Sequence, residues 1–469
     1  MKPHLLGRVI ASTAISIVVG LLLLFVLGHV TDARPAAFLV NTTLDLIDDN
    51  PGDGNCHTAD NNCSLRAAVM EADNGSGGTI IVPAGIYTLT LTGNGDLELR
   101  QDIALLGVGS NLTIIQGNPA GWSDRVLRVR NNANATVNGV TIRYGHTVEF
   151  GGGIDVVNGT LALNNSVVVS NTTDQNGGGI SVISGTLTLI NSTVANNTAG
   201  QYGGGGIYNS GRLTVTLGTI MSNSVTGLFG FYGGGVYNAA GGNSYVTRTL
   251  IQGNVSWGAT GFYNESGAQA HLSFSTINSN HAITGGGAGL WNDGVANLTF
   301  VTVTNNLAAN GVGGVYNGIG ANAVIVDPLI AYNTSLAGGS GGVLNDMTGT
   351  LILAGGSIGN NIAMAGPGGG VYNNSYAKLT ILAVDISHNQ ALGLYGDGGG
   401  VFGYGPLVIE DSNLSFNSGH YGGGVYSAGG VTLTMSTLSN NSAIQGGGLD
   451  VESGSGSIDR STFSGNTAT

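Results

Sequence analysis

Residues 177–197 have the sequence GGGISVISGTLTLINSTVANN, and this stretch decides the fold. It opens with a glycine cluster and an apolar residue, and it ends with the pattern apolar-x-x-Asn, formed here by Val194 and Asn197. Between these ends, residues 187–189 alternate apolar and polar side chains, which is the period of a β-strand with one buried face. The stretch therefore predicts a short, strand-rich unit with a glycine corner and an asparagine corner.

The same unit recurs twelve times between residue 151 and residue 469. If the last glycine of each cluster is the origin, successive origins lie 24 to 30 residues apart, and the asparagine follows its origin by 17 to 19 residues. This period is typical of a solenoid, because propeller blades need about 40 residues and the units lack helical spacing. We therefore predict an all-β fold, a right-handed parallel β-helix of the pectin-lyase-like type, with a short N-terminal capping helix. The repeated asparagines are Asn171, Asn197, Asn223, Asn254, Asn280, Asn306, Asn333, Asn361, Asn389, Asn417, Asn441 and Asn466.

Stacked coils explain these residue choices. Each coil lies about 4.8 Å above the previous one, so side chains at equivalent positions form columns. The apolar column fills the interior, and the asparagine column is expected to form a ladder of hydrogen bonds along the stack. We also expect the asparagines to adopt the left-handed conformation at one corner, and the glycines to occupy a second corner where a Cβ atom would clash.

A second column of aromatic-Asn pairs follows six of the glycine clusters. These pairs are Tyr208-Asn209, Tyr237-Asn238, Tyr263-Asn264, Trp291-Asn292, Tyr316-Asn317 and Tyr372-Asn373. The rings would suit contact with sugars if they are exposed, and inward packing is an equally consistent interpretation.

Residues 1–33 are predicted to be a signal peptide or an N-terminal membrane anchor. Lys2 and Arg8 form a short basic region, and residues 9–27 carry no charge. This pattern fits a signal peptide cleaved after Ala33, and the uncharged stretch is also nearly long enough to span a bilayer. Both alternatives export the rest of the chain. We therefore expect a secreted or cell-surface protein whose only membrane contact is residues 9–27, if they are retained.

Residues 36–150 are less regular than the repeat array at 151–469. We interpret them as the N-terminal cap and first coils of the same solenoid, because an uncovered end of the stack would expose unpaired strand edges. Residues 64–72 form the helix-like stretch of this region, and Ser64 is a plausible N-cap residue.

The two cysteines, Cys56 and Cys63, lie in or beside an acidic loop of this cap. A disulfide is the favoured interpretation in an exported chain, with two free thiols or a two-ligand metal site as alternatives. The loop also supplies oxygen ligands that suit calcium, although it lacks the twelve-residue pattern ending in glutamate. No other cofactor is predicted. The candidate calcium ligands are Asp45, Asp48, Asp49 and Asp53.

The segment Cys63-Ser64-Leu65-Arg66-Ala67-Ala68 carries a family resemblance. It resembles the Cys-Ser-Leu-Arg-Glu-Ala signature of a domain at the start of exported bacterial β-helix proteins, with Ala67 in place of that family's glutamate. The repeats resemble those of the chlamydial polymorphic outer membrane proteins, and Phe-Ser-Gly-Asn at 463–466 matches their Phe-x-x-Asn element. These resemblances imply a β-helix fold and export, and they imply little about activity.

Catalysis has to be considered because parallel β-helices include polysaccharide lyases and hydrolases, and fold alone does not decide function. From residue 151 onward the basic side chains are Arg212, Arg248, Lys378 and Arg460. Only Arg212 and Arg248 lie in successive units, and they occupy different positions of the unit, so no two of these side chains are expected to meet. Asp385, Glu410 and Asp411 are the candidate catalytic carboxylates. Neighbours in one strand point to opposite faces, so Glu410 and Asp411 should not form the pair that glycoside hydrolysis needs. A solvated surface is the favoured interpretation.

The charge pattern narrows the classes of partner. The formal net charge is −13, and Arg125, Arg128 and Arg130 form the one basic cluster, for which salt bridges within the cap are favoured over an anion site. Because the sequence has no basic stripe, we do not expect the protein to bind nucleic acid. The sequence favours a non-enzymatic binding or adhesion protein whose partner is a polysaccharide or another cell-surface protein. A structural envelope component and a polysaccharide-degrading enzyme of the same fold are the alternatives.

Overall fold

The computed structural model describes residues 36–201, 203–227, 232–394 and 396–469. The predicted signal peptide or anchor, residues 1–33, lies outside the described residues. Residues 37–469 form one compact unit. Among the described residues, no helix has the length and apolar character needed to cross a membrane.

The chain winds through four β-sheets, here named A, B, C and D, in the repeating order C, A, B, D. Strand pairs from Gly78–Val82 onward are parallel, and each strand pairs with its equivalent in the next coil. For example, Leu187 lies between Leu161 of the previous coil and Leu213 of the next. The predicted all-β parallel β-helix is therefore confirmed, and its repeated crossovers are consistent with a right-handed coil.

Sheet A has sixteen strands, and the side chains on one of its faces pack into the interior of the coil. Its longer strands alternate buried and partly exposed residues, as an alternating sequence requires. The strands are Ala36–Leu39, Gly78–Val82, Ile103–Gly107, Asn134–Asn138, Thr160–Asn164, Thr186–Ile190, Arg212–Thr216, Asn243–Thr247, Gln269–Ser273, Val295–Thr299, Asn322–Val326, Thr350–Ala354, Lys378–Leu382, Leu407–Glu410, Val431–Thr434 and Gly456–Asp459.

Sheet B has fifteen strands, and in eleven of the twelve apolar-x-x-Asn patterns the apolar residue points from it into the core, while Phe463 of the last pattern is exposed. The strands are Gly85–Leu89, Thr113–Gly117, Thr141–Arg143, Val167–Val169, Thr193–Ala195, Thr219–Met221, Leu250–Gln252, Thr276–Asn278, Thr302–Thr304, Leu329–Ala331, Ser357–Gly359, Asp385–Ser387, Asn413–Ser415, Thr437–Ser439 and Thr462–Ser464.

Sheet C has fourteen strands and follows the glycine clusters. The strands are Leu97–Leu99, Leu127–Val129, Ile154–Val157, Ile180–Ile183, Ile207–Asn209, Val236–Asn238, Phe262–Asn264, Leu290–Asn292, Val315–Asn317, Val343–Asn345, Val371–Asn373, Val401–Gly403, Val425–Ser427 and Leu449–Val451.

Sheet D is made of two-residue strands that follow the repeated asparagines. Ten of them form one sheet, and Ser442–Ala443 pairs separately with Thr467–Ala468. The ten are His146–Thr147, Thr172–Thr173, Thr198–Ala199, Ser224–Val225, Val255–Ser256, His281–Ala282, Leu307–Ala308, Thr334–Ser335, Ile362–Ala363 and Gln390–Ala391.

The repeated asparagines form a buried ladder at the corner between sheets B and D. Asn197 shows the pattern: its Nδ2 donates to Oδ1 of Asn223 at 3.0 Å and to the carbonyl of Val168 in the previous coil at 3.0 Å. Its backbone N–H also donates to Oδ1 of Asn223. Each amide thus replaces the backbone hydrogen bonds that the corner interrupts, which a buried polar backbone requires.

The expectation that these asparagines are left-handed is wrong. The left-handed residue is the one before each asparagine, such as Ser170 with φ 56°, Asn196 with φ 53° and Tyr332 with φ 58°. The corner needs one left-handed residue, and the side chains at that position point towards solvent. The asparagine has to point inward to reach the ladder, so the residue before it makes the turn.

The glycine corner is as tight as predicted. A Cβ atom on Gly179 would lie 2.7 Å from the carbonyl oxygen of Gly206, and Gly177 has φ +74°. The aromatic-Asn pairs place a second amide ladder beside this corner, in which Nδ2 of Asn238 donates to Oδ1 of Asn264 at 2.7 Å. Two amide ladders therefore run along the coil.

The N-terminal cap contains the predicted helix, Leu65–Asn74, and a 3-10 turn at Thr92–Asn94. Ser64 caps the helix, since its side chain accepts the backbone N–H of Ala67. The helix packs against the early strands of sheets A and C. Cys56 and Cys63 form the predicted disulfide, which closes the acidic loop that precedes the helix.

Candidate ligand-binding face

One outward-facing position of sheet C defines the candidate site, here called the sheet C column. Its members are the central residues of successive strands, and the residues on either side of each point into the coil. Strand register places them in a single row. In order they are Glu98, Arg128, Asp155, Ser181, Tyr208, Tyr237, Tyr263, Trp291, Tyr316, Leu344, Tyr372, Phe402, Tyr426 and Asp450. The row is charged at both ends and aromatic in the middle.

The aromatic members stack on one another along the rod. The rings of Tyr237 and Tyr263 lie 5.0 Å apart and nearly parallel, and those of Trp291 and Tyr316 lie 4.5 Å apart. Only 8% of Tyr237 and 6% of Tyr263 is exposed. The rings therefore point away from the interior, as sugar contact would require, but neighbouring rings cover their faces. What they present to solvent are ring edges and polar atoms.

Carboxylates two residues or one coil away from these rings accept hydrogen bonds from the phenol hydroxyls and the indole N–H. Asp293 accepts the hydroxyl of Tyr263 at 3.0 Å and the indole N–H of Trp291 at 2.8 Å. Asp346 accepts the hydroxyl of Tyr316 at 2.5 Å. Burial raises the pKa of Asp293 and, together with the nearby carboxylate, the pKa of Tyr263. The phenols consequently stay protonated at neutral pH and keep a fixed orientation.

The N-terminal end of the column is an ion-pair cluster. Arg125 contacts Asp96 at 3.2 Å and Glu149 at 2.7 Å, and Arg128 contacts Asp155 at 3.3 Å. The basic cluster seen in the sequence thus forms salt bridges within the first coils. Burial raises the pKa of both Asp96 and Asp155 to about 6, whereas the hydrogen bond from Arg125 lowers the pKa of Glu149.

A cleft of about 480 Å³ lies beside this cluster. It is lined by Arg128, Val148, Glu149, Phe150, Asp155, Val157, Gln175 and Ile183. The ring of Phe150 lies 6.2 Å from that of Tyr208, so the cleft is continuous with the aromatic part of the column. The carboxylate of Asp155 is buried in its wall, with 1% of the residue exposed.

The predicted calcium ligands do not all converge. Asp48 and Asp49 lie with His57 so that one ligand atom from each falls within 4.8 Å of the others. Asp45 lies elsewhere: it pairs with the buried guanidinium of Arg66 at 2.6 Å and accepts backbone N–H groups near residue 90. Asp53 is at the edge of the group, 3.8 Å from His57. Calcium binding stays a prediction for this loop.

The candidate catalytic carboxylates occupy different positions of successive coils. Asp385 lies on sheet B and accepts the side-chain amide of Asn413 at 2.9 Å. Glu410 ends a strand of sheet A beside Leu382, and Asp411 makes the next corner with φ 49°. The carboxylate of Asp385 therefore accepts a hydrogen bond from a neighbouring amide, Glu410 lies at the end of a strand, and Asp411 lies at a corner. Such positions are those of surface polar groups.

Sequence reasoning missed Asp155, Glu149 and Asp293 as site residues. The aromatic-Asn column was visible, but its continuation to Ser181, Asp155 and Arg128 was not followed. Counting back one and two periods from Tyr208 would have reached Ser181 and Asp155, because the glycine clusters before Ile180 and Ile154 fix the register. Arg128 lies in a coil without such a cluster. No family model, curated protein or solved structure matched the chain when it was compared with each.

Proposed function

We propose that this protein is exported and binds a glycan chain lengthwise along the sheet C column. The proposal rests on one observation: a row of carboxylates, phenol hydroxyls and an indole N–H runs beside the stacked rings. Asp293 and Asp346 lie two coils apart in it, and Asp293 is one coil from Glu265. Side chains are thus offered at multiples of about 4.8 Å, which is comparable to the length of one sugar unit in an extended chain.

The chemistry of these groups favours a polyhydroxylated ligand. Carboxylates only accept hydrogen bonds, and phenol and indole groups donate them. The hydroxyl of Tyr263 and the indole N–H of Trp291 already donate to Asp293, so what the row still offers is acceptor capacity on its carboxylate and phenol oxygens. A ligand rich in hydroxyls donates to such acceptors. The half-buried edges of Trp291 and Tyr316 add apolar contact between the polar groups, as amphipathic aromatic side chains do in binding sites.

Export is supported by two features. The N-terminal segment has the pattern of a signal peptide or anchor. The disulfide between Cys56 and Cys63 is of a kind that persists in oxidising compartments. An exported rod with a ligand along one face suits adhesion to a polysaccharide surface.

A glycan array probed with the exported protein tests the proposal. We expect binding to one class of extended glycans, with Trp291→Ala and Asp293→Asn each weakening the affinity at least about tenfold, since a hydrogen bond to a charged group contributes about 1.5–3 kcal/mol. The matched control is Phe300→Ala, an aromatic residue about half exposed at the corner between sheets A and B. Its affinity should equal that of the parent protein. Absence of glycan binding, or equal loss in the control, would contradict the proposal.

Cleavage of a polysaccharide is the second candidate function, and one observation favours it. Glu149 and Asp155 line the same cleft while their pKa values move in opposite directions, and such pairs serve as acid and base in glycoside hydrolysis. A reducing-sugar assay with the glycans that bind is the test. Turnover that disappears in Glu149→Gln would support this candidate, and binding without turnover would exclude it.

A further inference from the structure

The corner between sheets A and B carries a row of surface residues that is unusual for its backbone conformation. Each member directly follows a sheet A strand and is left-handed, as Phe274 with φ 50° and Phe300 with φ 53° show. Backbone hydrogen bonds between successive coils keep the members in one row. In order, this corner column comprises Leu217, Arg248, Phe274, Phe300, Asp327, Gly355, Ala383, Asp411 and Met435.

The apolar members of the corner column are strained and exposed at the same time. Glycine and asparagine adopt the left-handed conformation most readily, and Asn191 occupies this corner one coil before the column begins. Four members instead combine it with apolar side chains that are 42% to 56% exposed: Leu217, Phe274, Phe300 and Met435. Packing inside the coil does not offset this strain, so the residues are suited to a contact outside it.

The corner column carries opposite charges at equal distances from its middle. Arg248 lies three coils before Asp327, and Asp411 lies three coils after it. The guanidinium of Arg248 lies 5.9 Å from the ring centroid of Phe274. Within the described part of the chain, neither Arg248 nor Asp411 forms an ion pair. Both charges are therefore available to a partner.

The corner column is complementary to itself when one copy is reversed. A second copy turned by 180° about an axis across the rod places each coil before the middle opposite the equivalent coil after it. Rings then meet small residues, a cation meets an anion, and one apolar side chain meets another. Counted outward from Asp327, the residues brought together are Phe300 and Gly355, Phe274 and Ala383, Arg248 and Asp411, and Leu217 and Met435.

A parallel pairing of the two rods fits less well. About an axis along the rod, every member of the corner column would meet its own copy, so Arg248 would face Arg248 and both guanidiniums would repel. In the antiparallel pairing only Asp327 meets itself, at the axis. Charge complementarity therefore selects the antiparallel arrangement.

The face beside the corner column is large enough for a specific dimer. The column spans about 38 Å and the five-residue strands of sheet A about 16 Å, so each copy offers roughly 600 Å², at the low end for specific complexes. The outward side chains of these strands include four apolar residues that are more than one third exposed: Val324, Ile352, Leu382 and Val408.

We infer that this face binds a second copy of the chain, with the two rods antiparallel and Arg248 of each copy opposite Asp411 of the other. The sheet C column contributes no residue to the face, so the dimer is independent of the proposed glycan binding. The dimer also gives Asp411, which lies apart from the other candidate carboxylates, a role in association.

Sedimentation equilibrium of the exported protein tests the dimer. We expect the parent protein to dimerise, and Arg248→Asp or Asp411→Arg each to raise the dissociation constant at least about tenfold, because two-fold symmetry places every like-charged contact in the dimer twice. The exchange variant that carries both substitutions restores opposite charges and should restore the dissociation constant of the parent. Asp174→Arg is the matched control, since it reverses an exposed charge on the loop after sheet D and should have no effect.

The exchange variant separates a contact between copies from damage to the fold. A monomeric parent, a dimer that neither reversal weakens, or an exchange variant that stays monomeric with the circular dichroism of the parent overturns the inference. Asp327→Asn is a second, milder test, because it removes the like charges that meet at the axis and should tighten the dimer several-fold. A weaker dimer in this variant would overturn the antiparallel arrangement.

Discussion

The two halves of the sheet C column differ in chemistry although their backbones are equivalent. Glu98, Arg128 and Asp155 occupy the same place in the first coils that Tyr237 and Tyr263 occupy in the middle ones. The first group forms ion pairs along the stack, and the second forms ring stacks. The apolar columns and the ladder of repeated asparagines continue through the repeat array, whereas the second amide ladder runs from Asn209 to Asn373. This difference indicates that the interior residues determine the coil, whereas the residues of the outer column can vary and can therefore serve a function.

The strongest test of this division removes one member of the inner ladder. In Asn280→Leu, the amide of Asn254 loses its acceptor and the carbonyl of Ile251 loses its donor. We expect the free energy of unfolding to fall by at least about 4 kcal/mol, because each buried group left unpaired costs about 1–3 kcal/mol. Urea denaturation followed by circular dichroism measures it.

Asn278→Leu is the matched control, since this asparagine lies two residues earlier and is only partly buried on the outside of sheet B. Its effect should stay below about 1 kcal/mol, as for surface substitutions. Equal losses in the two variants would break the distinction between interior and outer columns.

The ion-pair end should tolerate change less well than its position on the outside suggests. In Arg125→Met, the carboxylates of Asp96 and Glu149 lose their partner, and 2% of Arg125 is exposed. We expect a loss of about 3 kcal/mol in the free energy of unfolding, the effect of stranding a buried charge. Arg100→Met, which breaks an exposed pair with Glu98, should cost less than about 1 kcal/mol. If Arg125→Met leaves the free energy of unfolding unchanged, the ion-pair cluster does not stabilise the fold.

The two halves should also respond to different pH windows. Burial raises the pKa of Asp73, Asp96 and Asp155 to about 6, above the 3.8 of the unfolded chain. These groups bind protons more tightly when folded, so their contribution to stability is complete below about pH 4 and is lost as the pH rises through 6. We expect amides of residues 97–157 to exchange more slowly at pH 5 than at pH 7, after correction for intrinsic rates.

The middle of the column provides the internal comparison for that experiment. Burial raises the pKa of Tyr372 to about 12, and its hydroxyl donates to an amide, so its contribution to stability is lost only above about pH 10. Exchange near Tyr372 should not change between pH 5 and 7. Asp155→Asn should flatten the response of the first coils. Equal pH dependence in both halves would contradict the assignment.

The structure could be predicted where the sequence carries repeat markers that define the register of the strands. Twelve asparagines, each 17 to 19 residues after its glycine cluster, were enough to predict the coil, the ladder and the buried columns. The left-handed residue, however, lies one place before each asparagine. The coil that holds Arg128 lacks both markers, so the pairing of Arg128 with Asp155 was not foreseen. The cleft was also missed, because Val148, Glu149 and Phe150 lie outside the strands and the period says nothing about where such residues fold back.

The smallest expected effect concerns the hydroxyls of the aromatic stack. Tyr263→Phe removes the hydroxyl that donates to Asp293, while Trp291 continues to donate to the other oxygen and the ring stack is unchanged. Because Asp293 is only partly buried, water can replace the hydroxyl, and we expect a loss of about 1 kcal/mol or less in the free energy of unfolding. Tyr376→Phe, at a position that is 80% exposed, is the control and should be neutral. If Tyr263→Phe lowers glycan affinity far more than stability, the hydroxyl row serves the ligand; a stability loss as large as that of Arg125→Met would mean that the middle of the column holds the fold in the same way as its charged end.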